Sequence, residues 1–158
     1  MSRPSSTIDI ERRRFLVAGC VGALAAAAAQ LLPRGARAAP GDVARVLAEL
    51  TGGAQPKTGR VRLGLPEVAD HGGAVPLDIE VESPMTEADY VEAVHVFAEE
   101  NPLPGVATFH FTPMSGRARA STRIRLAKSQ QVVALARMSN GDLYIDRRSV
   151  RVTVGGCT

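Results

Sequence analysis

Cysteine is scarce in this chain: two residues in 158, Cys20 within an N-terminal apolar run and Cys157 beside the carboxyl end. No CxxC pair exists, which excludes a dithiol redox motif. No Gly-Xaa-Ser-Xaa-Gly element and no phosphate-binding glycine loop is present, so neither a nucleophile elbow nor a P-loop is on offer. Residues 67–100 hold no lysine or arginine at all, and no internal repeat or low-complexity segment follows the first forty residues.

What is present begins with an export pattern. Arg12-Arg13-Arg14-Phe15-Leu16 precedes an apolar stretch rich in alanine and glycine, and Ala36-Arg37-Ala38 offers small residues at a signal-peptidase site. Residues 1–38 are expected to be a cleaved twin-arginine signal that sends the chain to the periplasm, with no membrane anchor left afterwards. Cys20 belongs to that signal, since the apolar region before it is too short for a lipoprotein site. The signal also carries the basic charge. It holds six arginines against Asp9 and Glu11, a net of +4, so the remaining chain carries +3 − 4 = −1. The hint of nucleic-acid binding in a basic chain therefore leaves with the signal.

Residues 39–154 suit one domain with one core. Asp42 as N-cap, Val43, Val46, Leu47 and Leu50 at helical spacing, and Gly52-Gly53 as a stop predict one short helix. Beyond it, Val61, Leu63 and Leu65 share a face, as do Val75, Leu77, Ile79 and Val81, with acids between them. Further strand runs cover 91–98, 106–112, 118–126, 132–138 and 143–154, the last with a break near Arg147-Arg148. Turns fall at 70–73, 101–105, 113–116 and at Asn140-Gly141. Thr86 and Asp89 suit a helix cap, but the β-branched residues after them favour a strand. Seven or eight short strands predict an all-β, immunoglobulin-like antiparallel sandwich with a short N-terminal helix.

Charge is polarised along the chain. Residues 67–100 contain ten acids, whereas residues 117–151 contain nine bases and only Asp142 and Asp146. Arg117, Arg119, Arg123 and Arg125 fall on one parity of one run. They make either a solvated face paired with the acidic strand 78–82 or a docking or anion-attracting patch.

Cys157 sits behind Gly155 and Gly156, where no core can enclose it, so its place calls for chemistry. A thiol needs a nearby base or positive charge to ionise readily, and the residues around it supply none. The carboxylate expected at Thr158 disfavours ionisation further. Two glycines give reach without activation, which suits a carrier arm over residues 155–158 better than a catalytic nucleophile. The competing reading is an exported interaction module whose cysteine only forms intermolecular disulfide dimers. His71, His95 and His110 show no metal-ligand spacing, and a blue-copper arrangement needs a ligand loop that Cys157 does not belong to. No metal and no cofactor are expected.

Together, the twin-arginine signal, His71-Gly72-Gly73-Ala74-Val75-Pro76-Leu77, Ser83-Pro84-Met85-Thr86, Ala107-Thr108-Phe109-His110-Phe111-Thr112-Pro113 and the ending Val154-Gly155-Gly156-Cys157 resemble the SoxY family. These are carrier subunits of the bacterial periplasmic thiosulfate-oxidising Sox system. The resemblance implies a non-enzymatic subunit that pairs with SoxZ and holds sulfur intermediates on Cys157, with Gly155 and Gly156 as the hinge of a swinging arm. It implies transient contact with a haem enzyme that loads thiosulfate, a hydrolase that releases sulfate and a sulfur dehydrogenase. The family arm usually continues Gly-Gly after the cysteine; here Thr158 stands instead.

Overall fold

The structure, a computed structural model, describes residues 42–155; the export signal, its cleavage site and Gly156, Cys157 and Thr158 lie outside the described residues. The chain enters this region with helix α1, Asp42–Thr51. Gly52 and Gly53 take left-handed φ of 60° and 83°, and their N–H groups donate to the carbonyls of Glu49 (3.4 Å) and Ala48 (3.2 Å). This is a Schellman stop, and a side chain at Gly52 would be strained there by its φ alone. Val43, Val46, Leu47 and Leu50 form the apolar stripe expected from their spacing.

Eight strands follow among the described residues: β1 Val61–Gly64, β2 Val68–His71, β3 Val75–Val81, β4 Val91–Ala98, β5 Gly105–His110, β6 Ala118–Ile124, β7 Gln130–Met138 and β8 Leu143–Val154. They form a three-stranded sheet, β1-β3-β6, and a five-stranded sheet, β2-β8-β7-β4-β5. The core lies between them. Leu77 and Ile79 of β3 meet Val94 and Val96 of β4 and Val132 and Ala134 of β7 there, all fully buried. Each of the larger of these side chains contributes roughly 1.5–3 kcal/mol by leaving water.

The five-stranded sheet is covered on its other face too. Phe97, Val133, Leu135 and Ile145 pack with the α1 stripe, so β4 and β7 read as continuous apolar runs rather than alternating ones. The described residues thus form a helix, a five-stranded sheet and a three-stranded sheet in layers. Pro76 stands in the central strand of the smaller sheet, but β1 pairs only with positions Asp78 to Val81 and asks no N–H of it.

The immunoglobulin-like sandwich is as expected, and three local expectations are corrected. No strand is expected over 68–71, and the sandwich is expected to be antiparallel; β2 forms there and pairs parallel with β8 (Val68↔Arg151, His71↔Val154), the one parallel pairing in an otherwise antiparallel set of named strands. The free edge of β8 needs a partner, and this short segment supplies it in the direction it runs. β8 has no break at Arg147-Arg148 and stays paired with β7 from Leu143 to Val150. Arg148 faces the seam beneath β1, where Asp146 Oδ2 accepts from Leu63 N–H (3.0 Å) and lies 3.6 Å from Arg148 Nε, whereas Arg147 lies on the opposite face beside α1. The strand favoured after Thr86 and Asp89 forms as expected: the two residues exchange cap-like hydrogen bonds (3.0 and 3.2 Å) and their turn opens into β4. His71, finally, ends a strand; a 3-10 turn, Gly72–Ala74, follows it. The Asn140-Gly141 hairpin forms as predicted, with Gly141 at φ 85° and Asn140 Oδ1 accepting from Asp142 N–H (2.9 Å).

Candidate functional site

The last strand brings the chain to Gly155, and its final residues are gripped from both sides. On one edge β2 runs beside β8, and Arg151 N–H donates to the Glu67 carbonyl at 2.9 Å. On the other side Ser129 Oγ accepts from Val152 N–H (2.9 Å) and donates to the Val152 carbonyl (3.3 Å), closing a small ring. Beyond it, Gly155 lies so close to the Ala127 carbonyl that a side chain there would collide with backbone. The end of β8 is therefore a fixed platform, and two more residues span at most about 7 Å beyond it.

The loop that receives Gly155 is itself anchored. Asn101, 8% exposed, donates from Nδ2 to the Arg125 carbonyl (2.8 Å) and accepts at Oδ1 from Ala127 N–H (2.9 Å) and Gln130 Nε2 (2.9 Å). Gln130 also accepts from Glu100 N–H at 2.8 Å. Leu126 N–H donates to the Gly72 carbonyl (2.8 Å), tying the same loop to the turn after β2. These buried amides satisfy backbone groups that a loop at a sheet end would otherwise leave unpaired.

The charged and titratable residues near the root are few. His71 lies opposite Val154 and its Nδ1 accepts from Gly73 N–H at 2.9 Å, which leaves Nε2 to carry the proton of the neutral ring. A groove of about 750 Å³ beside the root is lined by Arg147, Arg148 and Arg151 with Ser129, Ser149 and Glu67. His95 and His110 sit elsewhere, on adjacent strands β4 and β5. The His95 imidazolium is disfavoured by burial first, then by the charges of Arg137 and His110. Its Nδ1 is 3.2 Å from Thr108 Oγ1 and its ring stacks on Phe97. No group of three or more His, Cys, Asp or Glu that could hold a metal occurs among the described residues.

The four arginines expected as one patch divide. Arg119 lies directly opposite Glu80, and Ser121 hydrogen-bonds Asp78 on the same face, so this part is a solvated sheet face beside an acidic strand. Arg123 lies opposite Pro76 and, with Arg125, borders a cavity at the side of the sandwich. Arg117 precedes β6. Sequence reasoning missed Asn101, Ala127, Ser129 and Gln130. Only the Asn-Pro turn signal at 101–102 touched one of them.

An immunoglobulin-like sandwich of two sheets, with its final strand held in place up to Gly155, defines the class: a layered β-sandwich with a fixed C-terminal strand. The chain belongs to the family of the sulfur oxidation protein SoxY, which matches residues 47–157. The structure of the sulfur carrier protein SoxY from Chlorobium limicola f thiosulfatophilum is similar, with TM-score 0.59 and 25% identity over 73% of this chain and 100% of that one. A point variant of the superoxide reductase (neelaredoxin) from Ignicoccus hospitalis matches with TM-score 0.54 and 18% identity over 69% of this chain and 90% of that one. A putative superoxide reductase from Thermotoga maritima matches with TM-score 0.50 and 16% identity over 62% and 87%. At those identities the reductases share the fold alone. No curated protein matches the chain. The chain is thus a SoxY-type sulfur carrier of the Sox system, a carrier subunit that acts with a Sox partner.

Proposed function

We propose that this subunit, exported to the periplasm by its twin-arginine signal, carries sulfur intermediates covalently on Cys157 while separate enzymes act on them. The supporting observation is the platform at the end of β8, held by Ser129, by the pairing with β2 at His71 and by the loop at Ala127, which fixes the root of the segment that contains Cys157 in a chain of the SoxY family. Loading joins the Cys157 thiolate to the outer sulfur of thiosulfate, forming an S–S bond and giving two electrons to a haem enzyme. A hydrolase then adds water across the terminal S–S bond, releasing sulfate and two protons and leaving a persulfide on the cysteine. Further oxidation of that sulfur falls to a sulfur dehydrogenase. The subunit pairs with a SoxZ-like chain throughout.

Intact-mass measurement of protein from thiosulfate-grown cells is expected to show thiosulfonate or persulfide adducts that disappear in Cys157→Ser. Only free thiol and disulfide dimers under those conditions would sink the carrier reading and favour a cross-linking role. Removal of residues 155–158 separates the two readings further. A carrier keeps its partner and loses sulfur turnover, while a cross-linker loses only its dimer.

A further inference from the structure

Strand β5 ends the five-stranded sheet, with no described strand hydrogen-bonded to its outer side. Its phase is fixed by Phe111 N–H, which donates to the Glu92 carbonyl at 3.1 Å. Antiparallel alternation then turns the backbone groups of Phe109 and Ala107 toward β4 and those of Thr108 and His110 toward solvent. Natural edges are usually blunted with lysine, proline or inward charges. Gly105–His110, GVATFH, has none of these.

β6 is the edge of the facing sheet, and the two edges do not close on each other. Between them lies a cavity of about 380 Å³ lined by the half-buried Val106 and Phe109, by Ile124, and at its rim by Leu103, Arg123 and Arg125. Leu103 is 76% exposed at one end of this side, and Met114, in the 3-10 turn linking β5 to β6, is 97% exposed. The inner faces of both strands thus bring apolar groups to an open mouth roughly 20 Å long, the length of a six-residue strand. Arg117, Arg123 and Arg125 have no ion-pair partner among the described residues.

We propose that this open side, between β5 and β6, is the docking surface for the SoxZ-like subunit, and that the occupant lays an edge strand along β5 with acidic side chains toward Arg123 and Arg125. The inference rests on the carrier reading for the identity of the occupant; the surface itself rests on the unpaired edge, the open apolar mouth and the free guanidinium groups. Edge-to-edge addition supplies main-chain hydrogen bonds, and the charges select which chain is added. A second copy of this chain fits poorly, because symmetric β5-to-β5 pairing keeps the sheets in register and sets the two rows of β6 arginines against each other.

Amide hydrogen exchange of the full-length chain, alone and with its SoxZ subunit, tests this. Exchange at Thr108 and His110 is expected to slow at least tenfold in the complex, while Phe109, already bonded to β4, changes less. Arg123→Glu combined with Arg125→Glu is expected to weaken the complex at least tenfold and to reduce its salt dependence. A complex that leaves the Thr108 and His110 amides unprotected overturns the proposal, as does protection produced equally by self-association of this chain. Charge reversal without effect on affinity overturns the acidic occupant. Adduct mass on Cys157, read from the same samples, keeps the two ideas apart: adducts without β5 protection sink the surface alone, and β5 protection without adducts sinks the carrier reading alone.

Discussion

The carbonyl oxygen of Ala127 fills the space that a side chain at Gly155 would need. Gly155 thus has a packing reason to be glycine, separate from any freedom it gives the segment after it, and its φ is not in the left-handed region. Gly52 is the opposite case: nothing lies near its missing Cβ, and only its φ of 60° demands glycine. Gly155→Ala is expected to push the end of β8 off the loop at 125–128. Exchange at the Val152 and Val154 amides should rise about fivefold, the equivalent of about 1 kcal/mol of local opening, with the thermal midpoint of the sandwich almost unchanged. Unaltered exchange would mean that the loop yields instead.

Asn101 is the residue on which that loop depends. Asn101→Ala removes a buried amide that serves Arg125, Ala127 and Gln130, leaving the Ala127 N–H and the Arg125 carbonyl without partners. A loss of about 2–4 kcal/mol in urea unfolding is expected, from about 1–3 kcal/mol for each abandoned group with some relaxation. Asn101→Asp retains the acceptor for Ala127 but loses the donor to Arg125, and its cost should fall between those of Asn101→Ala and wild type. Equal stability of all three would remove Asn101 from any role in holding the root.

Much of this architecture is legible before any coordinates. β3 alternates cleanly because one face is buried and the other wet, and α1 announces itself by spacing and by Gly52-Gly53. The helix's resting place is not legible, because β4 and β7 lose their alternation where α1 covers the second face, and an apolar run does not say what covers it. The root of the arm is less legible still. Asn101 acts on residues 24, 26 and 29 positions away, and no local pattern marks a polar side chain that the fold will bury. Arg148 misled for a related reason: an edge seam between two sheets tolerates charges that look like a strand end.

His95 gives the molecule a directional pH dependence. Its folded-state pKa lies below the ordinary histidine value of about 6.5, chiefly through burial and then through Arg137 and His110. The unfolded chain therefore binds the proton more readily, and the stabilisation is complete above pH about 6.5 and lost as pH falls through the folded value. The thermal midpoint of the wild type should drop between pH 7 and 5 by more than that of His95→Gln. Parallel curves for the two proteins would show that this ring does not titrate differently on folding.

Lys57 and Asp142 bias the chain in the complementary way. Their 2.9 Å ion pair raises the pKa of the lysine and lowers that of the carboxyl, in both cases first through the hydrogen bond itself. Asp142 contributes above its unfolded value and fails as pH falls through its folded one. Lys57 contributes below its unfolded value and fails as pH rises through its folded one, so the pair favours the native state across the neutral range. Being exposed, it is screened by salt. Asp142→Asn should flatten the salt dependence of stability at pH 7, and an unchanged salt profile would show that the pair contributes nothing there.

Arg119 and Arg123 stand two pleats apart on one strand, yet reversing their charges should have different consequences for folding. Arg119 faces Glu80 across the β3–β6 pairing, so Arg119→Glu sets two carboxylates opposite each other, whereas Arg123 faces Pro76 and meets no acid. Directly opposed like charges on a sheet cost roughly 0.2–1 kcal/mol. Arg119→Glu is expected to lower the urea midpoint and Glu80→Arg to restore it in the double variant, while Arg123→Glu leaves it unchanged. A loss from Arg123→Glu equal to that from Arg119→Glu would mean that both arginines serve the isolated fold, and the weaker partner binding expected of Arg123→Glu would then have a structural cause.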